Sequence, residues 1–213
     1  MTDRYLKNNP TKNTALWLSL LVIATSLVAC QNNSALGVVS NYHWNKHGLV
    51  TNNNKLNYHS RSINKITIHH TATQNKIGES DLERLRSARR YHMQDRGWGD
   101  IAYHYLIASD GTIYQGRSAD FVGGSSTDYG TDNNLLIAMI GNFEVENPSY
   151  QALESLKNLV ANRALHYRIN PANISTHRHH ASTLCPGVRL QHWFDRVGEN
   201  EILHKLQEKT SLF

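Results

Sequence analysis

The chain has 213 residues, of which 39% are hydrophobic and 18% are charged. This length suits one domain with its own core, and the composition excludes an intrinsically disordered chain or a protein with several membrane spans. The net charge of +5 is too small to indicate nucleic-acid binding, so no nucleic-acid partner is expected. Two cysteines are too few for a disulfide scaffold.

The amino terminus has the pattern of an export signal. Basic residues precede an apolar run, Ala15–Ala29, that is shorter than the roughly 20 residues of a membrane-spanning helix. The run ends in Leu-Val-Ala-Cys, which resembles the lipobox of bacterial lipoproteins, whose signal is cut before an acylated cysteine. Residues 1–29 are therefore predicted to be a lipoprotein signal peptide, and Cys30 the lipidated membrane anchor. Gln31 favours the periplasmic face of the outer membrane in a Gram-negative cell; the alternative is an uncleaved signal anchor.

Residues 30–60 are rich in asparagine and show no sustained hydrophobic period. This composition predicts a tether between the lipidated cysteine and a folded domain over residues 61–213. A short strand is predicted near Gly37–Ser40. The aromatic residues Tyr42 and Trp44 suggest that part of the tether packs against the domain.

Strand and helix signals alternate along the rest of the chain. Strands are predicted at 63–69, 102–108, 112–115, 135–140 and 174–177, with a hairpin turn at 109–111. One helix is predicted to begin with a capping box at Ser80 and end at Gly97, and a second to have Asn147 as its N-cap and Pro148 as its first residue. The third covers 188–207 with a break near Gly198. This order predicts a single α/β domain with a central mixed sheet flanked by about three helices.

Imidazole and thiol groups follow two of the predicted strands. His69 and His70 end the first, and three further histidines precede Cys185 in the segment 176–187. Lipidation of Cys30 would leave Cys185 without a disulfide partner in an oxidising compartment, and metal ligation would explain its presence. Two imidazoles and a thiolate suit zinc, and three protein ligands leave a fourth position for water. These residues alone leave open which histidines would bind the metal.

Five segments resemble, in order, the motifs of the zinc amidases that include the T7-type lysozymes and the peptidoglycan recognition proteins. The resemblance covers about residues 61–197, in the segments ITIHHTAT (66–73), RGWGDIAYHY (96–105), DGTIYQGR (110–117), LIAMIGNF (136–143) and HR (177–178) with TLCPG (183–187). It implies an N-acetylmuramoyl-L-alanine amidase, a hydrolase that cuts the amide bond between the lactyl group of N-acetylmuramic acid and L-alanine. Peptidoglycan or muropeptides would be the substrate, in cell-wall turnover or remodelling.

The resemblance also implies the roles of individual residues. His69, His177 and Cys185 would bind one Zn²⁺ per chain, and water on the zinc would become reactive near neutral pH. Tyr103 and Thr183 would be the catalytic hydroxyls. Either could stabilise the tetrahedral oxyanion, and Tyr103 could also orient the water or pass a proton to the leaving amine.

Three residues are weaker candidates for substrate contacts: His70, Trp98 and Arg117. Trp98 fits a core position as well as a substrate-gripping one, and Arg117 could be a solvated charge on an exposed hairpin. His179 and His180 are interpreted as surface residues, although they could also be alternative ligands.

Two alternatives to peptidoglycan hydrolysis stay open. One is a peptidoglycan-binding module without activity, but the chain keeps the residues that such modules lack, Cys185 among them. The other is a zinc amidohydrolase acting on free anhydro-muropeptides. The absence of the cysteine pair found in many animal members argues for a bacterial enzyme, which is expected to be a monomer.

Overall fold

The computed structural model describes residues 36–74 and 78–211. The predicted signal peptide and the lipidation site at Cys30 lie outside these residues. Within the described part of the chain, no helix is both long and apolar enough to cross a membrane.

A five-stranded mixed sheet forms the centre of the fold and confirms the predicted α/β class. The strands are β1 (Lys65–His70), β2 (Tyr105–Ile107), β3 (Ile113–Gln115), β4 (Asn134–Met139) and β5 (Ile174–Thr176), in the order β3-β2-β4-β1-β5. The pairs β1–β4, β1–β5 and β2–β4 are parallel, and the β2–β3 hairpin is antiparallel. Every residue of β4 is buried, as expected for a continuous apolar run at the centre of a sheet.

Helical segments flank this sheet. They are α1 (Asn41–Trp44), α2 (Asp81–Arg90), α3 (Tyr150–Tyr167), α4 (Val188–Trp193) and α5 (Glu199–Thr210). A π-helical turn extends α2 to Asp95, and another joins α4 to α5. Counted with these turns, the long helical segments are α2, α3 and the joined α4–α5, which agrees with the prediction of about three helices. The predicted capping box is present, since the Ser80 hydroxyl accepts from the Glu83 N–H and the Glu83 carboxylate accepts from the Ser80 N–H.

The start of α3 differs from the prediction. The N-cap is Ser149 rather than Asn147, and its hydroxyl accepts a hydrogen bond of 3.1 Å from the Ala152 N–H. The same hydroxyl donates to the Ser109 carbonyl in the hairpin turn. This tertiary contact fixes the cap two residues later than the local Asn-Pro signal.

The predicted break at Gly198 is also wrong, because the chain stays helical there. Phe194–Gly198 forms the π-helical turn between α4 and α5. A Cβ atom at Gly198 would collide with the ring of Trp193. The glycine thus makes room for an aromatic ring and does not end the helix.

Strand β2 is shorter than the predicted 102–108. The His104 carbonyl still accepts from the Gly116 N–H at 2.8 Å, in register with the β2–β3 hairpin, but the Ala102 carbonyl accepts from the Gly124 N–H of a loop at 3.0 Å. The start of the predicted strand therefore bonds to a loop and not to a neighbouring strand.

Residues 37–60 belong to the domain, which corrects the prediction of a tether over residues 30–60. The Val39 N–H donates to the Ile113 carbonyl at 2.8 Å, and the Val39 carbonyl accepts from the Gln115 N–H at 2.9 Å. The strand expected near Gly37 is therefore one bridge to β3. An edge strand has backbone groups without a partner, and this segment satisfies those of β3 despite its polar composition.

The two aromatic side chains of this segment behave differently. Trp44 is buried in the core, and its indole N–H donates to the Gln115 carbonyl at 2.7 Å. Tyr42 is 76% exposed. The expectation that part of this segment packs against the domain is therefore confirmed, through Trp44 and not through Tyr42.

Candidate active site

The topology of the sheet explains why two distant histidines meet. β1 and β5 are parallel neighbours in which Ile68 lies opposite Thr176, so His69 and His177 come next at the same edge. Side chains at the carboxyl ends of neighbouring parallel strands share a crevice in α/β sheets. The two imidazole rings have their centroids 4.6 Å apart. One ligand atom from each of His69, His177 and Cys185 lies within 4.8 Å of the other two, so the three predicted ligands come together.

Hydrogen bonds determine which nitrogen of each imidazole faces the centre of this group. The Nε2 atom of His69 lies 2.9 Å from the Tyr129 hydroxyl, and its Nδ1 lies 3.4 Å from the sulfur of Cys185. The Nε2 of His177 lies 2.6 Å from the Thr127 hydroxyl, whereas its buried Nδ1 has no hydrogen-bond partner among the described residues. A buried polar atom without a partner is costly, and a metal ion would satisfy it. The donor set therefore fits zinc through the two Nδ1 atoms and the thiolate.

The loop that carries Cys185 is held in place from two sides. The Cys185 N–H donates to the Thr183 hydroxyl at 3.2 Å, and the His70 N–H donates to the Cys185 sulfur at 3.4 Å. Gly187 has a φ of +92°, and a Cβ there would collide with the backbone of Phe143. Only glycine allows the loop to approach this closely.

Burial dominates the electrostatics of the three donors. It lowers the pKa of His177 to about 4 and the pKa of His69 well below its usual value, with the neighbouring histidines adding to both effects. Burial also raises the pKa of the Cys185 thiol to about 12, although the His70 N–H opposes this shift. Neutral imidazoles keep a free lone pair for a cation.

Both predicted catalytic hydroxyls lie beside the ligands. Tyr103 donates a hydrogen bond of 3.2 Å to the His70 carbonyl, and its ring centroid is 5.4 Å from that of His69. Tyr103 and Thr183 line the same cleft as His69, His177 and Cys185, and this cleft has a volume of about 280 Å³. The structure thus gathers the five residues around one crevice.

Two of the three weaker candidates also line this cleft. Trp98 is half-buried and stacks on His92 with ring centroids 5.0 Å apart. The guanidinium of Arg96 lies 5.5 Å from the centroid of the indole, and a Cβ at Gly124 would crowd it. His70 is buried, and its Nδ1 accepts from the Phe143 N–H at 3.3 Å. Trp98 is therefore held against its neighbours at the wall of the cleft, and the imidazole of His70 is engaged with the protein.

Arg117 does not line the cleft, and the expectation that it is exposed is wrong. Its guanidinium is buried and donates to three backbone carbonyls, those of Ile101 at 2.8 Å, Asp100 at 3.0 Å, and Val122. Burial lowers the pKa of Arg117 to about 10, and the Asp100 carboxylate opposes the shift. The hairpin bears a structural arginine because these carbonyls need donors in the interior.

The neighbouring histidines of the last motif stay outside the donor group. His179 and His180 are both exposed. His180 lies 2.7 Å from the Ser175 hydroxyl and stacks on Tyr129 with centroids 5.3 Å apart. His179 lies 3.5 Å from Asp195. These positions agree with the interpretation as surface residues.

The hydroxyl groups that hold the two imidazoles are not among the residues that the sequence predicted. Tyr129 contacts His69, and Thr127 contacts His177, both from the loop before β4. The hydroxyl-rich run Ser125–Tyr129 is visible in the sequence. However, no spacing rule links it to histidines some 50 to 60 positions away.

Comparison with known proteins shows the family. The family model Amidase_2, described as N-acetylmuramoyl-L-alanine amidase, matches residues 59–188. The chain is 36% identical over 110 residues to peptidoglycan-recognition protein LB of Drosophila melanogaster, an alignment that covers 51% of this chain and 47% of that protein. It is 32% identical over 108 residues to the N-acetylmuramoyl-L-alanine amidase of Sus scrofa, covering 50% of this chain and 18% of that one.

Solved structures share the fold over most of the chain. The Drosophila peptidoglycan recognition protein SD superposes with a TM-score of 0.66 at 27% identity, covering 75% of this chain and 93% of that one. The N-acetylmuramoyl-L-alanine amidase LysC from Clostridium intestinale has a TM-score of 0.60 at 28% identity, covering 80% and 97%. Peptidoglycan recognition protein LE, solved in complex with tracheal cytotoxin, a monomeric diaminopimelic acid-type peptidoglycan, has a TM-score of 0.65 at 29% identity, covering 75% and 92%.

Proposed function

Because the chain belongs to the N-acetylmuramoyl-L-alanine amidase family, we propose that it uses zinc to hydrolyse the amide bond between N-acetylmuramic acid and L-alanine. The observation that carries this proposal is the convergence of two imidazoles and one thiol at the base of a cleft lined by hydroxyl groups. Such a set binds zinc, and a zinc ion with three protein ligands activates water and polarises a carbonyl.

The chain's own residues would hold this centre rigidly. If the Nδ1 atoms bind the ion, the Nε2–H of His69 would donate to Tyr129 and that of His177 would donate to Thr127. Partners of this kind fix the tautomer and the orientation of a ligating imidazole.

Tyr103 and Thr183 would serve the reacting amide. As water adds to the lactyl carbonyl, negative charge grows on its oxygen, and a hydroxyl donor beside the ligands stabilises that charge. The C–N bond then breaks as the L-alanine nitrogen gains a proton. Tyr103 is suited to hand over this proton because its hydroxyl reaches the cleft beside His69.

Muropeptides are the class of substrate that the relatives support. Recognition protein LE was solved with tracheal cytotoxin, and LysC is named an amidase. Recognition without hydrolysis is the competing function, since several relatives are named recognition proteins. The complete donor set beside Tyr103 favours hydrolysis.

The decisive experiment digests purified sacculi and an anhydro-muropeptide with the purified protein, before and after removal of zinc by a chelator. Mass spectrometry should detect free stem peptides that lack muramic acid, and zinc should restore their release. His177→Ala should abolish release, whereas His179→Ala in the same turn should leave it unchanged. Binding of sacculi without any release by the zinc-loaded protein would make the chain a recognition protein.

We also propose that the protein is a lipoprotein anchored through Cys30, as the Leu-Val-Ala-Cys sequence predicts. Radiolabelled palmitate should enter the wild-type protein in bacteria and should not enter Cys30→Ala. Equal labelling of both forms would contradict the assignment. Cys185→Ala is the matched control and should still be labelled.

A further inference from the structure

The first part of the predicted mature chain has an unusual distribution of charge. Residues 31–78 contain no aspartate or glutamate and five lysines or arginines. Two of these, Lys46 and Lys55, lie in the segment that packs beside β3. A cationic stretch of this kind attracts anionic polymers and anionic lipid surfaces.

The structure gathers cations from this segment and from α2 on one surface. Two adjoining depressions with volumes of about 460 and 430 Å³ lie between the segment 41–53 and α2, and they share Asn45, Gly48, Leu49 and Arg89. Neither depression has an acidic lining residue in the described part of the chain. Arg89 is buried and paired with Asp100 at 3.0 Å, so its charge is compensated.

The remaining cations are exposed and accompanied by exposed apolar side chains. We call this surface the amino-terminal face; its exposed members are Tyr42, Lys46, His47, Val50, Arg86 and Arg90. Tyr42 is 76% exposed and Val50 is 86% exposed, and both line the same depression as Lys46. Protruding apolar groups among cations are typical of surfaces that lie in the headgroup region of a membrane.

The position of the face relative to the chain's start adds a geometric argument. Seven residue steps separate Cys30 from Gly37, where the domain begins, and a fully extended chain spans at most about 3.6 Å per residue. The anchor and the domain are therefore separated by no more than about 25 Å. A lipid anchor on Cys30 would hold the segment 41–53 close to the bilayer.

We propose that the amino-terminal face docks on an anionic phospholipid surface. The proposal rests on the lipid anchor proposed above, to which the face adds a second, electrostatic attachment. The lipid on Cys30 would attach the protein, and a basic surface near it adds electrostatic attraction to anionic headgroups and orients the domain on the bilayer. Among residues 36–74 and 78–211, none lines both the face and the cleft, so docking would not use the groups proposed to perform hydrolysis.

The test uses the full-length protein, isolated from bacterial membranes in detergent and reconstituted into vesicles. One set of vesicles contains phosphatidylcholine only, and the other also contains phosphatidylglycerol. An amine-specific acetylating reagent reports the accessibility of Lys46, and Lys209 in the same molecule is the internal reference. Acetylation of Lys46 should be at least about fivefold slower on the anionic vesicles, and high salt should remove the difference.

A pair of matched variants tests whether the face itself is responsible. Val50→Glu with Arg90→Glu should abolish the protection of Lys46, and both side chains are exposed, so the fold should persist. Val197→Glu with Arg196→Glu makes the same substitutions at exposed positions in the turn after α4 and should retain the protection. Loss of protection in both variants would show attraction by net charge alone and overturn the assignment of the face.

The two proposals fail in different ways. Equal acetylation of Lys46 on both kinds of vesicle, with the protein bound to both, would overturn docking and leave the anchor intact. Failure of the protein to associate with neutral vesicles would contradict the lipid anchor. Docking would then be judged by the anionic vesicles alone, where slow acetylation of Lys46 would support it and fast acetylation would overturn it. Peptide release from a soluble muropeptide should be equal in wild type and both variants, which separates docking from catalysis.

Discussion

Two sets of polar side chains in the interior of this domain differ in how many of their hydrogen-bonding atoms have a partner: Arg117 with His104, and the group His69–His177–Cys185. Arg117 donates to three carbonyls, and both nitrogens of His104 are bonded to the backbone, to the Leu136 N–H at 2.8 Å and the Phe121 carbonyl at 2.9 Å. In the His69–His177–Cys185 group, by contrast, the His177 Nδ1 has no described partner.

The difference separates a structural cluster from a site that fits a ligand. Saturated polar atoms stabilise the fold and have nothing left to offer a substrate or an ion. Burial lowers the pKa of His104 to about 3, so this imidazole stays neutral and serves as a fixed bridge between β4 and the segment that carries Phe121. An unsatisfied atom that points at two other donors is costly unless a metal completes it.

The largest effect is expected from Cys185→Ser, which tests the metal-binding half of this comparison. A serine hydroxyl ionises poorly and would hardly hold zinc, so most bound metal and nearly all peptide release should be lost. The loss should exceed the about 10- to 100-fold cost of removing an outer partner of a ligand. Elemental analysis and digestion of sacculi measure the two quantities. One zinc per chain with undiminished release would remove Cys185 from the ligand set.

Arg117→Leu tests the structural half. It leaves the carbonyls of Asp100, Ile101 and Val122 without their donor, and the free energy of unfolding should fall by about 3–5 kcal/mol. Urea unfolding followed by circular dichroism measures this change. The folded fraction should still bind one zinc per chain. Arg189→Leu, at an exposed position, is the control and should change stability by less than about 0.5 kcal/mol. Normal stability with impaired substrate binding would restore Arg117 as a substrate contact.

Tyr103→Phe should act on turnover while sparing the metal. The ring is kept and the hydroxyl is lost, so kcat should fall by roughly 100-fold or more. Zinc content and the unfolding midpoint should stay near wild type. Steady-state kinetics on a soluble muropeptide checks the prediction. Wild-type kcat would exclude the hydroxyl from the mechanism.

Tyr129→Phe should have the smallest effect of the four and sharpens the view that hydroxyls orient the imidazoles. Without its partner at Nε2, His69 should bind zinc about 10-fold more weakly, which competition with a chelator measures. Tyr150→Phe, at a position 73% exposed, is the control. Unchanged zinc affinity would assign Tyr129 to packing alone.

Much of the fold could be predicted because its signals are local. The apolar run of β4 predicted a central strand, and Ser80 with Glu83 predicted the start of α2. The family motifs indicated the three residues that converge, His69, His177 and Cys185, although the histidines by themselves did not show which would do so. The predicted element ends were wrong where a contact between distant residues accompanies the observed end. The α3 N-cap, for example, is Ser149, whose hydroxyl donates to the Ser109 carbonyl.

The sequence by itself determined the kinds of elements, their order and the residues that match the amidase motifs. Only the tertiary structure decided that Val39 pairs with the edge of the sheet, that Arg117 is buried, and that Tyr129 and Thr127 hold the imidazoles. Each of these depends on backbone or side-chain groups far apart along the chain. The composition of residues 37–60 does not show that the distant edge strand β3 has backbone N–H and C=O groups without a partner. Likewise, nothing in the local sequence around Arg117 shows that three buried carbonyls need its N–H donors.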